Sequence, residues 1–298
     1  MSAKRAKPLF ERVAIVGLGL IGSSLARVIR RERLARTIVA CDSSPAVREK
    51  VAELGLADRV TGDVTAAARG ADLVVLCTPL SSYATLAAAI APSLKRGAII
   101  SDVGSVKRAA VAALTPHVRR GVQLVPAHPL AGTEHSGPES GFADLFKGRW
   151  CILTPPPGAD AKAVERVAKL WRRAGMEIAT MDAEHHDRVL AITSHVPHLI
   201  AYTIVNTVSD LESHLRTEVI KFAASGFRDF TRVAGSDPTM WRDVFLSNKD
   251  AVLEMMGRLY EDIALLQKAI RNGDGDTLHK VFARSRHIRR GIVQAKQD

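Results

Sequence analysis

Cysteine is scarce in this chain: three in 298 residues, Cys41, Cys77 and Cys151. An odd number without regular spacing builds no disulfide framework, so a reducing compartment is expected. Aromatic residues make up 5%, too few for the stacking platforms that single-stranded nucleic acid requires. No apolar stretch reaches the ~18 residues needed to cross a bilayer without a glycine or a charge interrupting it. The basic start, Lys4, Arg5 and Lys7 ahead of Val13 to Ile21, imitates a signal peptide. Glycines break or end that run, and no small-residue cleavage site follows cleanly. These absences lead us to expect a cytoplasmic protein with neither nucleic acid nor membrane as a partner.

What is present has the size of two domains. Mean hydropathy is near zero. The formal charge of +11 (42 Lys and Arg against 31 Asp and Glu) suits a cleft that collects small anions. Its visible clusters, Lys4 to Lys7 and Arg284 to Arg290, read as solvated termini.

Arg12 to Val16 reads as a buried strand running into Gly17-Leu18-Gly19-Leu20-Ile21-Gly22, after which helical spacing continues to about Arg31. In such a turn Gly17 permits the tight bend, Gly19 lets backbone approach a pyrophosphate, and Gly22 lets helix and strand pack closely. The free N–H groups of the helix start, at Leu20 and Ile21, then face that pyrophosphate. A second strand, Thr37 to Cys41, ends at Asp42, twenty residues beyond Gly22. There a carboxylate accepts hydrogen bonds from the adenosine ribose and repels a 2′-phosphate, so NAD is favoured over NADP. The plainer reading of Asp42 is a helix cap ahead of Pro45.

Further strands at Asp72 to Cys77 and Ala98 to Val103, separated by a helix over Ser81 to Leu94, predict a doubly wound parallel sheet of Rossmann type. Ligands collect at the carboxyl ends of such strands. Three of these ends carry polar groups: Thr78-Pro79, Asp102 with Gly104-Ser105-Val106-Lys107, and His128-Pro129. Ser105 and Lys107 read either as substrate contacts or as caps of the next helix. His128 is expected on a loop after the strand Gly121 to Val125 with its ring free, as the base of an oxidation; the alternative is a histidine that packs a turn. Gly132 to Gly148 reads as a loop over the site. A strand at Trp150 to Thr154, a helix at Ala161 to Ala174 and a last strand at Met176 to Met181 close a first domain, 1–182.

Residues 183–298 read as all helix. The expected helices are His185 to Ser209, Leu211 to Ala224, one started by Ser236-Asp237-Pro238 and running past Leu265, and Asp276 to Gln294. Apolar residues on several faces of Val244 to Ile270 predict burial on several sides and a dimer made by this domain. His195 and His198 share a face, with His186 half a turn away in a straight helix; Pro197 should kink the run. No cysteine pattern and no HExxH accompany them, so no metal is expected. Ser225 to Arg232 reads as a loop with two arginines, Arg228 and Arg232, one of which suits a substrate carboxylate. Trp241 is either core or a wall of the pocket.

Six stretches together resemble the prephenate dehydrogenases, including the cyclohexadienyl and arogenate dehydrogenases of tyrosine biosynthesis. They are Gly17 to Ser23, Gly104 to Lys107, His128 to Gly137, His186 to Val189, Ser194 to His198 and Phe230 to Trp241, in the same order along nearly the whole chain. The resemblance implies oxidative decarboxylation of prephenate, a nucleotide-binding domain followed by a helical dimerisation domain, and specific roles. His128 matches the catalytic histidine and Ser105 the serine that orients it. Arg232 matches the arginine that binds a substrate carboxylate, while His195, His198, Thr133 and Trp241 fall in the substrate site. Val196, where leucine is common, and Ala224-Ser225-Gly226, in place of a more glycine-rich turn, depart from the pattern without removing a chemical group. Rival readings are another two-domain 3-hydroxyacid dehydrogenase, whose catalytic lysine would have to be Lys221, and a non-catalytic NAD sensor.

Overall fold

The computed structural model describes residues 7–133, 135–211 and 213–294. Six strands, β1 (Phe10–Val16), β2 (Ala35–Cys41), β3 (Arg59–Thr61), β4 (Leu73–Leu76), β5 (Ile99–Asp102) and β6 (Gln123–Leu124), form one parallel sheet in the order β3-β2-β1-β4-β5-β6. Between them run α1 (Leu20–Arg31), α2 (Pro45–Glu53), α3 (Val64–Ala68), α4 (Tyr83–Ile90) and α5 (Lys107–Leu114). Continuous apolar strands such as Leu73–Leu76, buried at every position, are what a sheet covered on both faces demands. The order reverses between β1 and β4, and that switch point is where ligands bind in doubly wound sheets.

The chain then departs from the expected single sheet. β7 (Ala127–Pro129), β8 (Trp150–Leu153) and β9 (Glu177–Thr180) make a separate sheet in which β7 pairs antiparallel with β8 and β8 parallel with β9. His128 therefore lies within an edge strand, opposite Ile152, and not on a loop. Pro126, which has no N–H, ends β6 after two residues, and Pro129 is tolerated because β7 is an edge. α6 (Ala161–Arg173) precedes β9 and buries Val167, Leu170 and Trp171 against the core. In the loop between β7 and β8, Phe142 donates its N–H to Ser24 Oγ of α1 at 3.0 Å, which fixes that part of it to the nucleotide side.

Helices follow: α7 (Ala183–Leu190), a π-helical turn (Ala191–His195), α8 (Val196–Ser209), α9 (Ser213–Phe222), α10 (Ser225–Thr231), α11 (Pro238–Ser247), α12 (Lys249–Arg271) and α13 (Gly275–Gln294). The expected loop at 225–232 is thus helix α10 with a 3-10 turn from Arg232. The expected long helix breaks at Asn248, whose side chain turns inward to bond two buried groups described below. Asp237 caps α11 as its position before Pro238 predicts, accepting from Thr239 and Met240. By length and composition Ala183–Ser209 is apolar enough to cross a membrane, against the expectation that no such run exists.

Packing divides the chain into two compact units, Met1–Lys249 and Asp250–Asp298. In the second, Leu253, Tyr260 and Ile270 of α12 and Phe282 and Ile288 of α13 are more than half exposed. The many-sided burial expected for α12 is not reached within a single chain.

Candidate active site

The dinucleotide side is built by glycines. Gly17 has φ +90°, a conformation L side chains rarely adopt, and a Cβ there would lie 2.7 Å from the Cys77 carbonyl oxygen. A Cβ on Gly22 would stand 2.0 Å from the Gly17 carbonyl oxygen, whereas one on Gly19 would meet nothing within 4 Å. Turn and helix thus pack too closely for side chains at two positions and leave open space at the third. No side chain caps α1, so its first N–H groups and positive dipole end are available to an anion. Asp42 accepts from Leu18 N at 2.9 Å and from Ser44 N at 3.0 Å. The cap of α2 is Ser44, which removes the capping alternative for Asp42 and leaves its carboxylate at the end of β2, bracing the glycine turn. These features fit the adenosine half of a dinucleotide. Thr78 and Pro79 follow β4 across the switch point, Thr78 Oγ1 lying 2.8 Å from Ser82 Oγ.

The second half of the site is a chain of buried polar groups. His128 Nδ1 lies 2.9 Å from His186 Nε2, and His186 Nδ1 lies 2.7 Å from Asp187 Oδ1. Asp187 also accepts from the backbone N–H of Lys107 at 2.7 Å and of Arg108 at 2.9 Å. The start of α5 is therefore capped by a carboxylate eighty residues away, not by Ser105 or Lys107 as one sequence reading had it. Lys107 is fully buried; its Nζ donates to Asp102 Oδ2 at 2.5 Å and to the Ala127 carbonyl at 2.7 Å. Asn248 donates to the Asp187 carbonyl at 2.8 Å and lies 3.1 Å from His195 Nδ1. Trp241 stacks on His198 with centroids 3.8 Å apart and meets His195 edge-on at 6.1 Å. It also packs with Val106 and Val244, so it is core and histidine wall at once.

Burial dominates the titration of these rings. His128 is pushed well below its usual range by desolvation, then by His186, Lys107 and His195 nearby. Desolvation also lowers His186, although Asp187 opposes it, and lowers His195 to about 4. His198 is lowered by desolvation, with a further push from the charge of Arg232. All four rings are held neutral at neutral pH.

The structure thus gathers His128, His195, His198 and Trp241, with Arg232 close enough to act on His198. Ser105 is half-buried between β5 and α5. Thr133 is exposed, its hydroxyl accepting from His135 N at 3.3 Å. Glu134 of the same motif lies outside the described residues. Lys221 is exposed on α9 with its ammonium over the Phe222 ring. His186, Asp187, Asn248 and the pairing of Asp102 with Lys107 carry no role in the sequence reading, which takes Lys107 only as a substrate contact or a helix cap. The π-helical turn explains why His186 escaped: one extra residue in a turn re-phases the helix by about 100°, reducing the half-turn between His186 and His195. Its signal was Pro197, which offers no N–H to the preceding turn.

Fold and site together are those of a two-domain, dinucleotide-dependent dehydrogenase. Residues 25–180 match the family model of the prephenate dehydrogenase nucleotide-binding domain, and residues 182–284 that of the prephenate dehydrogenase dimerization domain. The chain is 44% identical to the cyclohexadienyl dehydrogenase of Zymomonas mobilis over 94% of its length and 96% of that protein's. It is 31% identical to the prephenate dehydrogenase of Bacillus subtilis, covering 95% of this chain and 76% of the relative. Its fold superposes with a TM-score of 0.86 on the Aquifex aeolicus prephenate dehydrogenase crystallised with hydroxyphenyl propionate and NAD+, at 30% identity over 98% of this chain and 100% of the other. The chain belongs to the prephenate dehydrogenase family.

Proposed function

We propose that this protein catalyses NAD-dependent oxidative decarboxylation of prephenate to 4-hydroxyphenylpyruvate, and of arogenate to tyrosine, in tyrosine biosynthesis, within the cytoplasm. The observation that carries this reading is a buried, neutral imidazole, His128, tied through Ala127 to the carboxyl end of β5. The uncapped start of α1 and the carboxylate of Asp42 support NAD, as does the NAD+ complex of the Aquifex relative. In this reading Gly17, Gly19, Leu20, Ile21, Gly22, Asp42, Thr78 and Pro79 bind the dinucleotide, which supplies the hydride acceptor when bound.

His128 accepts the proton of the ring hydroxyl, a transfer suited to an unprotonated imidazole. Carbonyl character develops at that carbon, and the ring carboxylate leaves as CO2 as the ring becomes aromatic. Ser105 orients His128. Arg232 holds the side-chain carboxylate, with His195, His198, Thr133 and Trp241 lining the substrate. Binding the departing carboxylate too firmly would oppose its loss, so the guanidinium's role is positioning.

Residues 1–182 form the nucleotide-binding domain in this reading and 183–298 the helical, substrate-binding and dimerising one. The match to a dimerization domain and the exposed apolar residues of α12 and α13 support a homodimer; light scattering after size exclusion tests it. The enzymatic test pairs prephenate and arogenate with NAD and NADP and follows cofactor reduction. Reduction of NAD by prephenate is expected, and no reduction in any of the four pairings refutes the proposal.

A further inference from the structure

The hydrogen bonds around Asp187 determine which nitrogen of each neighbouring ring carries its proton. A carboxylate only accepts, and both Asp187 oxygens already receive backbone N–H groups, so His186 Nδ1 is the donor in the bond to Asp187. In the neutral ring Nε2 is then a bare acceptor, and His128 Nδ1 must donate to it. The Nε2 of His128 is left with its lone pair. On the other side of the same residue, the backbone carbonyl of Asp187 only accepts. The Asn248 atom facing it is therefore the amide nitrogen. That nitrogen directs its other hydrogen to His195 Nδ1, so His195 carries its proton on Nε2. This N–H is buried without a hydrogen-bond partner, and a buried donor left so is costly unless a ligand supplies the acceptor.

We propose that Asp187, through His186 and through Asn248, locks His128 and His195 in opposite tautomers, making His128 a proton acceptor and His195 a hydrogen-bond donor toward an oxygen of the bound substrate. His186, Asp187 and Asn248 are positioning residues here. The proposal rests on the reading of His128 as the base, but the tautomers themselves are a property of the resting protein and are measured without turnover.

The test is a long-range ¹H–¹⁵N spectrum of ¹⁵N-histidine-labelled full-length protein at neutral pH, assigned with His128→Gln and His195→Gln. The expected result is a neutral His128 protonated on Nδ1 and a neutral His195 protonated on Nε2. An Nε2–H on His128, an Nδ1–H on His195, or either ring as imidazolium overturns the proposal. Asn248→Asp exchanges the donor for an acceptor; His195 should move to the Nδ1–H form and the substrate KM should rise at least ~10-fold, with kcat less affected. Asp187→Asn should lower kcat by ~10²- to 10⁴-fold, the scale seen when a catalytic imidazole loses its orienting carboxylate, and should leave a mixture of His128 tautomers. Lost turnover with His128 still wholly Nδ1–H assigns Asp187 a purely structural role and overturns its part. The parent reading fails separately: should His128→Asn keep wild-type turnover while the spectra show the expected tautomers, His128 is not the base although the lock exists.

Discussion

Acidification should unfold this protein through its histidines before its carboxylates titrate. The sign follows from linkage: the folded rings of His128, His186 and His195 resist protonation, the unfolded ones do not, so the unfolded state binds more protons as pH falls through 6.5. Stability is full above that value and is lost downward toward each folded pKa. For His195, whose usual 6.5 falls to about 4, ~1.4 kcal/mol for each tenfold change in proton affinity makes the loss about 3 kcal/mol by pH 4. His128 and His186 add to it in the same direction. Against a usual total of about 5–15 kcal/mol the loss is decisive. Carboxylates held low by their partners, such as Asp144 beside Arg31 and Asp182 under the His185 N–H, start from 3.8 and titrate below this window. Urea unfolding at fixed protein concentration, from about pH 7.5 to about pH 4.5, should therefore show unfolding free energy falling below about pH 6.5. His195→Gln should have the shallower slope. A flat profile across that interval, or an equal slope for the variant, refutes the assignment of buried neutral rings.

His128→Asn should keep its fold and NAD affinity while turnover falls ~10²- to 10⁴-fold; steady-state kinetics beside NAD titration calorimetry would check both. Gly22→Ala forces a Cβ to within 2.0 Å of a backbone oxygen, so NAD affinity should fall by more than about tenfold, read by the same calorimetry. Lys107→Met leaves the fully buried Asp102 without its counter-charge and should cost about 3–5 kcal/mol in urea unfolding. Arg232→Gln removes a charged donor from a substrate carboxylate, worth about 1.5–3 kcal/mol, so KM should rise by roughly 10- to 150-fold with kcat less changed.

The nucleotide half was legible because its signals are local. The turn from Gly17 to Gly22, the strand ends at Asp42 and Thr78, and the alternation of strand and helix each lie within a few residues of sequence. The separate sheet was not, because a three-residue strand such as Ala127–Pro129 has no period of its own and exists only through pairing with β8. His128 stands out by its motif, but the loop and free ring expected for it are replaced by a place in β7 and a bond from Nδ1 to His186. Asp187 and Asn248 were invisible as site residues for a related reason. The N–H groups of α5 that Asp187 accepts, and the Asp187 carbonyl and His195 ring that Asn248 meets, lie far away along the chain, and a buried carboxylate looks in sequence like any surface one. Asn248 also marks where the long helix was misread, since a side chain recruited inward ends α11 where propensity alone would continue it.

The Asp102–Lys107 pair illustrates how the two halves are joined at His128, the proposed base. Burying both charges is expensive, and well-packed apolar residues of similar volume are often no less stable. What such residues would not supply is hydrogen bonding to Ala127. In the antiparallel pairing His128 faces Ile152, and alternation turns the N–H and carbonyl of Ala127 away from β8, toward an edge where no strand lies. Asp102 accepts the Ala127 N–H at 3.3 Å and Lys107 donates to its carbonyl at 2.7 Å. The ion pair occupies the place of a missing neighbouring strand. Lys107 also lends its own N–H to Asp187, so the backbone before His128 and the side chain beyond it are fixed by the same turn of α5.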